Sequence, residues 1–128
     1  MKTRKVIITD RALRIVRQIE KNHGPVIFHQ SGGCCDGSSP MCLPKGDFMI
    51  DDNDEFLGDL EGVPFYMSKF QYNYWKHTQL TIDVVEGRGS SFSLEIPMGL
   101  RFVVKSRLFT DEEIKSLESE KANKENNY

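Results

Sequence analysis

The residues best suited to chemistry are crowded into one stretch, His29 to Cys42, which reads "HQSGGCCDGSSPMC" and holds all three cysteines of the chain. Three chemistries are open to these thiols. Thiolates are soft ligands suited to zinc, copper(I), iron or an iron–sulfur unit. Cys34, Cys35 and Cys42 could each donate one, with His29, Asp36 or His77 completing the set. The spacing is unlike a standard zinc knuckle, because Cys34 and Cys35 are adjacent and six residues separate Cys35 from Cys42. The second chemistry is nucleophilic or redox. Amides of Gly32, Gly33 and residues 36–39 could cradle a thiolate, Cys35 and Cys42 could close a redox disulfide, and His29 or His77 could act as base. A thiolate of this kind adds to an aldehyde carbonyl. The third is no chemistry at all, since cysteine is among the most buried residue types. Metal or sulfur binding is taken first, because three thiols in one loop exceed what a single nucleophile needs.

Other candidates stand apart from the loop. Arg88, between two glycines, could bind an anion or a partner's carboxylate, or simply occupy a solvated turn. His23 precedes Gly24 and Pro25, where a histidine interacts with a helix C-terminus. Phe65, Tyr66, Phe70, Tyr72, Tyr74 and Trp75 form an aromatic run that suits a core or a docking surface better than a ligand box. The segment "DDND" lacks the spaced ligands and closing glutamate of a calcium loop.

The elements that must position these groups follow from periodicity. Val6 to Ile8 reads as a short strand. Thr9 and Asp10 are N-cap types, and Ala12, Leu13, Val16 and Ile19 recur at helical spacing until Gly24 and Pro25 stop the helix. "PVIFHQ" predicts a buried strand that ends where the cysteine loop begins. "DFMI", "EFLGDL" and "GVPFYMS" predict short strands, the last carrying a proline that suits an edge or a strand start. "KFQYNYWKH" predicts a short helix and "QLTIDVVEG" a strand. "FSLEIP" and "LRFVVKS" are expected to pair antiparallel about "PMG". Thr110 and Glu113 form a capping box for a last helix with a thin stripe of Ile114 and Leu117.

Helix, short strands and helix in that order predict a single α+β domain over residues 1–120, with a mixed or antiparallel twisted sheet and two flanking helices. Residues 121–128, which offer almost nothing to bury, are expected to be a disordered tail. The chain has 128 residues and a net charge of −2, which argues against a basic nucleic-acid footprint. No apolar run approaches a membrane span, and "MKTRKVIITD" lacks the apolar core and cleavage site of a signal peptide, so a cytoplasmic protein is expected. In a reducing compartment, clustered cysteines point to metal binding or reactivity before a disulfide framework.

Two resemblances follow from the segments. "HGPVIFHQSGGCCDGSSPMC", "GVPFY", "WKHTQLTIDVVEGRGSSFSLEIPMGLRF" and "SRLFTDEE" resemble domain of unknown function 779. This is a small bacterial family whose genes often lie beside those of aldehyde dehydrogenases. A second resemblance is to the HesB/IscA family of A-type iron–sulfur carriers. It is carried by a helix, a strand and "SGGCCDG", then by Ile82-Asp83, Gly87-Arg88-Gly89, Phe92 and Pro97 in order. It implies a HesB-like fold. The carriers close their site with a Cys-Gly-Cys segment after that proline, whereas "MGLRFVVKSRLF" contains no cysteine, so the fold is implied without the cluster site. Together these readings give an accessory protein, more an auxiliary than an enzyme. Its cysteine loop would bind a metal or sulfur species in support of aldehyde or alcohol oxidation, with an aldehyde dehydrogenase as partner and a homo-oligomer as one state. A thiol-redox factor and a docking module are the alternatives.

Overall fold

The computed structural model describes residues 4–30, 38–46, 52–87 and 93–126, with side chains as far as residue 119. Strand β1 (Val6–Ile8) leads into helix α1 (Asp10–His23). Thr9 caps α1 by accepting the Ala12 N–H at 3.2 Å, and Asp10 at the start and Lys21 and His23 at the end suit the helix dipole. Gly24 ends the helix at φ 78°, a conformation that disfavours a side chain, and its N–H reaches the Glu20 carbonyl at 2.8 Å. Ala12, Val16 and Ile19 form the buried stripe the periodicity predicts.

Two sheets follow. The larger has the order β3-β2-β5-β4, built from β2 (Val26–Gln30), β3 (Met41–Pro44), β4 (Asp54–Leu60) and β5 (Val63–Ser68). Within it β2 and β5 run parallel at the centre, and β3 and β4 pair antiparallel at the sides. The smaller has the order β1-β6-β7, with β6 (Thr78–Glu86) parallel to β1 and antiparallel to β7 (Leu100–Leu108). Helix α2 (Lys69–Trp75), capped by Ser68, joins β5 to β6. The short helix expected at "KFQYNYWKH" is therefore present, and β5 is a central strand whose proline sits at its start, not at a sheet edge.

Phe28 of β2 shows how the sheets meet. Its ring lies 6.2 Å from that of Phe65 in the same sheet and 4.9 Å, edge to face, from Phe102 of β7. Leu80, Ile82 and Val84 of β6 and the apolar stripe of α1 complete one core. Asp83, between two of those core residues, points the other way. Its carboxylate accepts from the Thr9 hydroxyl at 2.8 Å, Arg11 Nε at 2.6 Å, the Val84 N–H at 2.8 Å and Lys105 Nζ at 3.2 Å. The Arg11 hydrogen bond, more than any other, holds this carboxyl well below the usual carboxylate range, with burial opposing it. Asp83 thus ties the start of α1 to β6 and β7.

The expected pairing of "FSLEIP" with "LRFVVKS" is corrected by the structure. β7 spends its ladder on β6, and Ile96–Met98 forms a turn of 3-10 helix. Among the described residues of that stretch, the buried side chains are the polar Ser93 and Glu95. Glu95 is fully buried and accepts from the Ser93 hydroxyl and from the Phe102 N–H at 3.3 Å. Helix α3 (Asp111–Asn126) opens on the predicted capping box, in which the Thr110 N–H meets Glu113 at 2.9 Å and the Glu113 N–H meets Thr110 at 3.2 Å. Arg107 grips Glu113 through two bonds of 2.8 Å, and this pairing brings the Glu113 carboxyl down to about 2. The backbone stays helical past residue 121, to Asn126. The segment "DFMI" lies outside the described residues.

Candidate functional site

Alternation along β2 and β3 sorts the predicted ligands. Cys42 pairs with Phe28 and His29 with Met41 in the antiparallel register, and cross-strand partners share a face. Cys42 therefore turns inward with Phe28, where it is 0% exposed and part of the core. His29 turns to the opposite face of the same sheet. The structure does not bring Cys42 and His29 to one site.

The surroundings of Cys42 also work against a thiolate. Burial pushes its thiol far above the ordinary range, and the nearby negative charges of Glu95 and then Glu20 add to the shift. Its backbone is engaged as well. The Cys42 N–H donates to the Ser93 hydroxyl at 2.9 Å, and its carbonyl accepts the Leu94 N–H at 2.9 Å. Cys42 is a core residue that fastens the 93–98 turn to β3. His77 lies elsewhere again, exposed between α2 and β6, with its carbonyl accepting the Phe109 N–H at 3.0 Å.

His29 sits differently. It lies on a central strand with ladders to both sides and is buried. Its Nε2 lies 2.7 Å from Oδ1 of Asp54, with side-chain exposures of only 6% and 9%. Asp54 opens β4 opposite Ser68, and His29 stands opposite Tyr66, so the two side chains meet over β5 between these positions. The Lys69 N–H fixes the preceding turn on the Asn53 carbonyl at 2.7 Å. Buried Gln30 and Gln71 belong to the same end of the sheet, which is the carboxyl end of the parallel pair β2 and β5. Ligand crevices in sheets with parallel strands form at such ends.

Cys34, Cys35, Asp36 and Arg88 lie outside the described residues, while the roots of their segments are described. One root of the cysteine segment is Gln30, next to His29. At the other, the Ser38 carbonyl accepts the Val104 N–H at 2.8 Å and the Ser39 hydroxyl accepts Arg101 Nη1 at 3.1 Å. Arg101 also lies across Gly87, where an added Cβ would meet its Cδ at 3.3 Å. One arginine thus touches a root of the cysteine segment and a root of the segment that carries Arg88. Among the described residues, no three histidine, cysteine, aspartate or glutamate side chains group as a metal site would require. The aromatic run divides: Phe65 and Trp75 are core, while Phe70 and Tyr74 are exposed on α2 with their rings 5.9 Å apart. No described helix is long and apolar enough to cross a membrane.

Asp54 and Arg101 escaped the sequence reading. Asp54 belongs to "DDND", which reads as a turn, and only its place two residues before Phe56 hints at a strand. Arg101 looks like any charged residue on a strand.

The fold and site define a small α+β protein with a buried histidine–carboxylate pair at the root of a thiol-bearing segment. The chain belongs to the family described as Domain of unknown function (DUF779), whose model matches residues 15–108, from within α1 to the end of β7. No curated protein and no solved structure matches the chain, and the likeness to the A-type iron–sulfur carriers gains no support from these comparisons.

Proposed function

We propose that the chain is an accessory protein that binds a soft metal ion or a sulfur species through Cys34 and Cys35, with His29 as the third donor. The observation that carries this reading is the position of His29. It is buried at the carboxyl end of β2, one residue before the cysteine segment, whereas Cys42 and His77 face elsewhere. Two thiolates and an imidazole form a donor set suited to zinc, copper or iron, and they leave a coordination position for a substrate or sulfur atom. Asp36 belongs to the same segment and is the reserve oxygen donor. Such a group, when bound, supplies Lewis acidity or carries sulfur. The setting implied by the family resemblance is aldehyde or alcohol oxidation, with an aldehyde dehydrogenase as the partner.

The histidine–carboxylate pair also favours a second reading. A base oriented by a carboxylate is what a cysteine nucleophile requires. Anaerobic purification with elemental analysis, cyanolysable-sulfur assay and an absorption spectrum separates the two. The first reading predicts stoichiometric metal or sulfur, lost in His29→Ala. Metal-free and sulfur-free protein with one rapidly alkylated thiol would replace it with the second.

A further inference from the structure

We infer that Ser93–Glu95 is a proton-operated clasp between the two sheets, closed while the Glu95 side chain is a neutral acid and loosened when it ionises. The inference stands apart from the proposed donor set. Strand β3 ends the larger sheet and β7 ends the smaller one, so each turns one backbone edge outward. The clasp joins these two edges. On one side the Cys42 N–H of β3 donates to the Ser93 hydroxyl at 2.9 Å, and the Cys42 carbonyl accepts the Leu94 N–H at 2.9 Å. On the other the Phe102 N–H of β7 donates to Glu95 Oε2 at 3.3 Å, while Glu95 Oε1 is bonded to the Ser93 hydroxyl.

The carboxyl that completes this junction is 0% exposed. Its partners are a hydroxyl and backbone amides, and among the described residues no lysine, arginine or histidine pairs with it. The charged groups on the surrounding strands are engaged elsewhere or lie in solvent. Arg101 of β7 reaches Ser39 and Gly87, and Lys105 reaches Asp83. His29 of β2 pairs with Asp54 on the opposite face of its sheet, and Lys45, just past β3, is exposed. On the inner side stand the Cys42 thiol and, on α1, Glu20, which is paired with Arg17. Removing a carboxylate from water with no cation beside it is costly. Burial accordingly pushes the Glu95 carboxyl above the usual carboxylate range, against the hydrogen bonds from Ser93, its own N–H and the Phe102 N–H. The neutral acid loses no partner. Oε1–H then donates to Ser93 Oγ, and Oε2 still accepts the Phe102 N–H. Opening returns the charge to water and bares the edges of β3 at Cys42 and of β7 at Phe102. A raised folded-state value stabilises the closed form below the ordinary glutamate value, and that contribution is lost as pH rises toward the folded value.

Amide hydrogen exchange on the full chain, corrected for the intrinsic pH dependence of exchange, tests this between about pH 5 and 8. In the wild type, protection of the Cys42, Leu94 and Phe102 amides should fall as pH rises, by up to about tenfold per pH unit. Glu95→Gln mimics the acid, since its amide donates to Ser93 Oγ and its carbonyl accepts the Phe102 N–H. In that variant protection should stay flat and be at least as high as in the wild type. Protection independent of pH in the wild type, or the same slope in Glu95→Gln, overturns the proposal. If Glu95→Gln fails to fold, a carbon-13 titration of the wild-type Glu95 carboxyl decides. A midpoint above the ordinary glutamate value of about 4.3 upholds the clasp, and one at or below it overturns it.

Discussion

Cys42 and Asp83 show how one residue's surroundings decide its chemistry. A cysteine in a glycine- and serine-rich stretch reads as reactive, yet Cys42 belongs to the ladder that follows the loop, and its register with Phe28 turns it into the core. Nothing in the composition of "SSPMC" marks where the loop ends and β3 begins. With its thiol pushed far up by burial, Cys42 should alkylate at least about a hundredfold more slowly than an exposed thiol. Mass-resolved iodoacetamide labelling of the native protein checks this, and labelling of Cys42 as fast as the other two would contradict the core placement. Asp83 is the reverse case: a polar residue whose role is structural. Its side chain is only 4% exposed, and its carboxyl is held low chiefly by Arg11. A depressed folded-state value contributes stability above the unfolded value of about 3.9, and that contribution is lost as pH falls toward the folded value. Asp83→Asn should therefore cost about 1.5–3 kcal/mol near neutral pH, and the gap to wild type should narrow below about pH 4. Urea unfolding across that range measures it, and a gap independent of pH would show that the charge is not what matters.

At the scale of elements, local signals were strong wherever the chain supplies its own caps and periodicity. α1 carries Thr9 and Gly24 at its ends, α3 carries the Thr110–Glu113 box, and β6 carries β-branched alternation, so each was legible. Partner choice was not. "FSLEIP" alternates like a strand, but among its described residues the buried positions are Ser93 and Glu95, which hydrogen-bond to each other and, through Glu95, to the Phe102 N–H, and β7 is left to pair with β6. Alternation reports that two sides differ, not which side is buried. Helix α3 raises a related question. Its half-buried Ile114 and Leu117 end the apolar stripe, while the backbone helix continues to Asn126. A helical turn without tertiary packing adds little stability. A chain ending at Glu120 should melt at the same temperature as the full chain. A loss of several degrees in calorimetry would show that the last turns bear on the fold.

On the scale of the whole molecule, the α+β class and the belonging to the family were legible because they rest on element order and on residues spread from Ile15 to Leu108. The division into two sheets and the His29–Asp54 pair were not, because both depend on long-range register. His29 and Asp54 are 25 residues apart in sequence and meet only because β5 lies between their strands. The candidate site is thus assembled by the larger sheet, with the cysteine segment rooted beside it, and the core thiol is set apart on the other face. That separation is the central claim, and a parallel serine scan tests it most directly. Metal and sulfur per chain, measured on anaerobically purified Cys34→Ser, Cys35→Ser and Cys42→Ser, should fall sharply in the first two and stay at the wild-type level in the third. Loss of the bound species in folded Cys42→Ser, with retention in Cys34→Ser and Cys35→Ser, would contradict the account.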